Sequence, residues 1–216
     1  TLPALCEVCE RAFILQHCDT LKAFFHSLLT QDHRRDELTR LFALLRRVEG
    51  GLEEGLVQFQ QLVGEVGTHD ILGLTEEAAE RDPARVSPED FISAVMHHFI
   101  HFNDLVCRCF DSDPRFLNAV DKGLVILVNS NKHCAELLAA FSHSVLSGSR
   151  GKMSSGDIEA SLADTITCLK YVLDKDVFQA HYAKHLAQRL ITDSILAQET
   201  EEAMIHALRS VSTLDF

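Results

Sequence analysis

Twelve histidines and seven cysteines are the residues of this chain that invite chemistry, because imidazole and thiolate are the ligands zinc prefers. Their spacing argues against a metal. Cys6 and Cys9 form a lone CxxC in a helical pattern, His17 and Cys18 follow about two turns later, and no second CxxC completes a set of four ligands. His181 and His185 share a helix face, but Tyr182 stands where a zincin motif has Glu, so they read as solvated or hydrogen-bonding histidines. Cys107 and Cys109 flank Arg108 on a helix, point in different directions and read as packing residues. No G-x-S-x-G elbow presents a nucleophile. No GxGxxG or Walker-type glycine loop is present, and the 148–156 loop follows a helix rather than a strand. Glu53 and Glu54, Glu76 and Glu77, and Glu201 and Glu202 are sequence neighbours, which a helix splays by about 100°, so they read as solvated faces. These residues predict no catalytic group, no cofactor and no bound metal.

The elements that would position any site are helices. Four prolines and ten glycines punctuate 216 residues, and between them apolar residues recur at three- and four-residue spacing. Ser87-Pro88-Glu89-Asp90 is a helix start, with an acceptor side chain, a Pro at the first position and an acid at the third. It opens a stripe of Phe91, Ile92, Val95, Met96, Phe99, Phe102, Leu105, Val106, Cys109 and Phe110. Ser112-Asp113-Pro114 repeats the signal ahead of Phe116, Ala119, Val120, Gly123, Leu124 and Leu127, and Asn129-Ser130-Asn131 ends that stripe. Upstream, Leu5 to Leu29 and Glu37 to Val48 are amphipathic, and Gly50, Gly51 and Gly55 predict a bend or short break. Downstream lie a short helix from Cys134 to Leu146, a Ser/Gly-rich connection from Ser147 to Gly156, and three helical segments near 157–173, 176–191 and 196–211. The middle one carries Phe178, Tyr182, Leu186 and Leu190 in steps of four. Four successive helices after residue 131 predict a bundle.

Composition bounds the rest. With 46% apolar and 24% charged residues the chain can bury a core and is not a disordered segment. A net charge of −12 disfavours a phosphate backbone as partner, and no apolar run approaches the roughly 20 residues that span a bilayer. No nucleic acid and no membrane is therefore predicted. An odd number of cysteines without a secretory signal predicts free thiols in a cytoplasmic or nuclear setting. A start at Thr1 and an end directly after a periodic segment lead us to expect a piece of a longer polypeptide.

Two strings are more specific. Asp113-Pro114-Arg115-Phe116-Leu117-Asn118-Ala119-Val120-Asp121-Lys122, ending at Val128 to Asn131, resembles a segment of the cullin family. Leu169 to Phe178, then Tyr182-Ala183-Lys184-His185-Leu186-Ala187-Gln188-Arg189-Leu190, resembles the cullin signature in residues and spacing. Glu37-Leu38, Arg40-Leu41-Phe42, Leu44, Arg47-Val48 and Gly51-Leu52 are similar to an earlier cullin segment. Three departures stand beside these matches: Gln188 replaces a usual Lys or Arg, Gly123 replaces a usual Ala, and Gly64 to Gly67 occupies a region that is a regular helix in the family.

The resemblance implies an all-α fold, a cullin-repeat helical bundle followed by a four-helix bundle. Residues 1–130 would be the last cullin repeat of the N-terminal stalk and residues 131–216 the start of the C-terminal region. It implies a non-catalytic scaffold segment of a cullin-RING ubiquitin ligase, linking the substrate-receptor end to the RING and E2 end. The partners it implies are the RING subunit, the substrate receptor and the exchange factor, which mostly contact other parts of a cullin. The residues it carries over as structural signature are Asp121, Lys122, Asp174, Lys175, Asp176, Phe178, Tyr182, Leu186, Arg189 and Leu190. Asp174 or Asp176 would cap a helix and Phe178 would anchor its first turn. For Lys175, Lys184 and Arg189 ordinary surface charge carries equal weight. Lys132, Arg150 and Lys152 are candidate contacts for acidic partners. The alternatives are an unrelated all-helical solenoid adaptor that binds partner proteins in a groove and, further off, a metal-dependent enzyme using the His and Cys clusters.

Overall fold

The computed structural model describes residues 8–9, 11–14, 16–81, 86–148, 153–192 and 198–211. Its elements are α1 (Cys18–Leu29), a 3-10 turn (Asp32–Arg34), α2 (Arg35–Leu45), α3 (Glu53–Arg81), α4 (Pro88–Cys109), α5 (Pro114–Asn129), α6 (Cys134–Leu146), α7 (Ser155–Leu169), α8 (Lys175–Thr192) and α9 (Gln198–Val211). The described residues contain no strand, as the 3.6-residue periodicity requires. None of their helices is long and apolar enough to cross a membrane. They group into two compact units, one drawn from residues up to Glu65 and from Phe99–Gly123, the other from Val66–His98 and from Leu124 onward.

In the first unit the apolar stripes converge on phenylalanine. Phe25, Phe42, Phe59, Phe102, Phe110 and Phe116 are all buried. Phe110 and Phe116 stack at 4.1 Å, and Phe59 meets both, at 5.4 and 5.5 Å. Each such pair adds about 0.5–1.5 kcal/mol to simple area burial. The corner that brings Phe110 onto Phe116 is tight. Asp111 and Ser112 take φ of 52° and 53°, and the Asp113 N–H donates to Phe110 O at 2.9 Å. Left-handed backbone at two non-glycine residues costs about 1–2 kcal/mol each, which the aromatic contact offsets in part. Asp113 then opens α5 by accepting the Arg115 N–H at 2.9 Å, and the Arg115 guanidinium holds its carboxyl below the usual range.

The break expected between Gly50 and Gly55 is confined to residues 46–52, where Gly50 adopts φ of 76°. Gly55 lies within α3, which continues for 29 residues through Gly64 and Gly67 without interruption. Glycine serves close approach here. A Cβ at Gly123 would fall 2.5 Å from Val63 Cγ1 in the first unit, and one at Gly67 would fall onto the Leu127 side chain in the second.

In the second unit α6 is buried on most sides, through Leu138, Ala139, Phe141, Ser142 and Val145. It packs against α7 and α8, and α9 packs against α7. α7 starts two residues earlier than its apolar pattern indicates because Ser154 and Asp157 form a reciprocal cap. The Ser154 hydroxyl accepts the Asp157 N–H at 3.2 Å and the Asp157 carboxylate accepts the Ser154 N–H at 3.3 Å.

Candidate functional site

On α8 one face is set by the helical repeat. Positions 178, 182, 185 and 189 fall within about 60° of one another at 100° per residue. Phe178, Tyr182 and Arg189 are all fully buried on that face, and the Phe178 and Tyr182 rings stack at 5.7 Å. Burial of a guanidinium demands a counter-charge, and α9 supplies it. Arg189 Nε donates to Glu201 Oε2 at 3.0 Å and Nη2 to Oε1 at 2.7 Å, a two-point fork. The Tyr182 hydroxyl donates to the same carboxylate at 2.6 Å. The Arg189 guanidinium also lies 5.4 Å from the centre of the Tyr182 ring. Burial and the neighbouring Glu201 carboxylate push the Tyr182 phenol far up, so it stays a donor.

α6 completes the cluster. His143 Nδ1 lies 3.2 Å from Arg189 Nη1, and the His143 and His185 rings stack at 4.6 Å with planes 16° apart. Burial, reinforced by Arg189, lowers the pKa of both imidazoles, that of His185 to about 4. Neither α6, α8 nor α9 can rotate without breaking a charge-assisted hydrogen bond.

A second tie lies at the end of α5. Asn129 Nδ2 donates to Val125 O in its own helix at 2.7 Å and to Tyr171 O at 2.8 Å, while its Oδ1 accepts the Leu173 N–H at 3.0 Å. One side chain thus ends α5 and fastens the turn that leads from α7 into α8. The Asp174 carbonyl accepts the Phe178 N–H at 3.4 Å as α8 begins.

Among the signature residues, Phe178, Tyr182 and Arg189 meet in this cluster. Leu186 and Lys175 are half-buried, and Asp121, Lys122, Asp174, Asp176 and Lys132 are exposed. Arg150 and Lys152 lie outside the described residues, as does Cys6 of the CxxC. Of the two readings open for Arg189, burial holds and surface charge does not. Two sequence readings are corrected. Glu201 is not on a solvated face, being 5% exposed. Leu190 is 61% exposed and leaves the stripe, because steps of four overshoot the helical repeat by about 40° each and carry position 190 about 120° from Phe178. His143 and Glu201 went unrecognised as partners. The available signal was the spacing from Phe178 to Arg189, which returns to the same face within about 20°. His181 faces Glu136 at 3.9 Å, and no group of three His, Cys, Asp or Glu side chains able to hold a metal occurs among the described residues.

The chemistry this arrangement displays is fixation of helices by charge-assisted hydrogen bonds. The cullin alpha solenoid domain model matches residues 1–216. Cullin-2 of Caenorhabditis elegans is 31% identical over 215 residues, covering 97% of this chain and 26% of that protein. Cullin-1 of Dictyostelium discoideum is 30% identical over 217 residues, with 96% and 27% covered. Cullin-1 of Schizosaccharomyces pombe is 29% identical over 223 residues, with 100% and 29% covered. The chain therefore spans little more than a quarter of the length of these relatives. Matched along its whole length by the family model and built of helices in all its described elements, the chain belongs to the cullin family.

Proposed function

We propose that this chain is a scaffold segment of a cullin-RING ubiquitin ligase, holding the substrate-receptor end at a set distance from the RING and E2 end. The observation that carries the reading is the buried lock of Arg189, Glu201, Tyr182 and His143, which fixes three helices in one arrangement and offers no reacting group. Residues 1–130 act as the last repeat of the stalk, and residues 131–216 begin the C-terminal region. The packing of α6 on α7 and α8 and of α9 on α7 supports a four-helix bundle there. The segment contributes no catalytic group and takes no cofactor. It works in the cytoplasm and nucleus, with the RING subunit, substrate receptor and exchange factor as partners of the parent protein. The exposed Lys132 is a contact for an acidic partner surface. Against the solenoid-adaptor alternative, the stripes of α4 and α5 are largely consumed in packing: Phe91, Ile92, Val95, Leu105, Val106, Phe116, Val120, Leu124 and Leu127 are all buried.

The experiment uses the full-length parent, in which a flexible Gly/Ser stretch of about 20 residues is inserted between Ser130 and Asn131, where the stalk is proposed to give way to the C-terminal region. Capture of the RING subunit and receptor should be unchanged while ubiquitin transfer to a receptor-bound substrate falls. Undiminished transfer, or a parent that captures no RING subunit, overturns the reading.

A further inference from the structure

The inner face of α8 holds more potential positive charge than the carboxylate beside it can balance. Arg189 is a permanent cation, fully buried, and Glu201 from α9 already serves both it and Tyr182. Two imidazoles stand against the guanidinium, His143 from α6 and His185 from α8, stacked at 4.6 Å. A guanidinium only donates, so His143 Nδ1, 3.2 Å from Arg189 Nη1, must accept; the His143 proton sits on Nε2 and the ring is neutral. His185 Nδ1 is buried without a hydrogen-bond partner, so a proton placed there meets neither water nor an acceptor. Lys184 and His181 on α8 add positive potential at His185. Glu136, the carboxylate on α6, faces His133 and His181 instead. The cluster is balanced with one cation and one anion.

We propose that the stacked His143–His185 pair is an acid-sensitive latch: while both rings are neutral, α6, α8 and α9 lock around Arg189, and protonation of either ring sets a second cation against the buried guanidinium and releases them. The direction of titration agrees with the geometry. Burial first, then the facing His143 ring and Arg189, hold His185 at about 4 against an ordinary 6.5. Below that ordinary value the unfolded chain binds more protons than the folded one. The latch contributes its full stability above about pH 6.5 and loses it progressively as pH falls toward about 4.

Nitrogen-proton correlation spectra of the chain across this range provide the test. His143 should be the neutral Nε2–H tautomer at pH 7, and both rings should titrate below the usual histidine value, His185 near about 4. An Nδ1–H tautomer at His143, or titration of both rings at the usual value, overturns the latch. Thermal unfolding supplies a second reading. Between pH 7 and pH 5 the chain should lose about 2–4 °C more than a His143→Gln, His185→Phe variant, which keeps an acceptor and a ring but cannot titrate. Equal losses refute the proposal, and the spectra of the unsubstituted chain decide alone should the variant not fold.

Discussion

Six phenylalanines meet in the first unit at ring separations between 4.1 and 6.4 Å, whereas the second unit gathers a glutamate, a tyrosine and two histidines around one guanidinium. Hydrophobic burial is non-directional and ring pairs accept both stacked and edge-on geometries, as these do, so a phenylalanine core specifies that helices adhere more strongly than how they are rotated. The polar cluster does the reverse. Its net contribution to stability is small because desolvation offsets the Coulomb attraction, but each of its hydrogen bonds has an angle and a length. The two units therefore divide cohesion and alignment between them.

The largest effect expected is from Arg189→Met, which strands Glu201 in the interior and should cost about 3–5 kcal/mol. Hydrogen exchange resolved by residue should show the loss in α6, α8 and α9, with α1 and α2 unaffected. Adding Glu201→Leu removes the stranded charge and should recover most of the stability, since a buried pair can be exchanged for apolar side chains at little net cost. Equal loss of protection everywhere would break the contrast between the units. Phe116→Ala is the counterpart in the first unit. It should cost a comparable or slightly smaller amount, about 3–5 kcal/mol less whatever the corner regains by collapse, with the exchange pattern inverted. The smallest effect sharpens the comparison from outside both cores. Arg46→Ala removes the pair with Asp111 at 2.9 Å, in which both side chains are more than half exposed, and denaturation should register no more than about 0–1 kcal/mol.

The all-helical build was legible because periodicity and caps agree: Ser87 and Asp113 start helices as their side chains predict, and the residues that follow are buried on one stripe. What periodicity could not convey was polar burial. His98 sits inside the stripe of α4, 5% exposed and 2.9 Å from Asp70, where an apolar pattern registers only an interruption. Arg189 and Glu201 are invisible to the same method for a deeper reason. Each alone is a poor core residue, and they become acceptable only as a pair formed across a connection between helices. The cullin-like signature marks Tyr182 and Arg189, and the cluster supplies the physical cause: both serve the carboxylate of Glu201.

Gly123 acts as a gauge block between two rods. With Val63 already where a methyl group at position 123 would stand, α3 and α5 meet at the lower limit of their separation. Any larger residue at that point can only spread them, and none can draw them closer. Drift in this part of the sequence is thus biased toward widening, and the geometry of the joint has one direction in which to err.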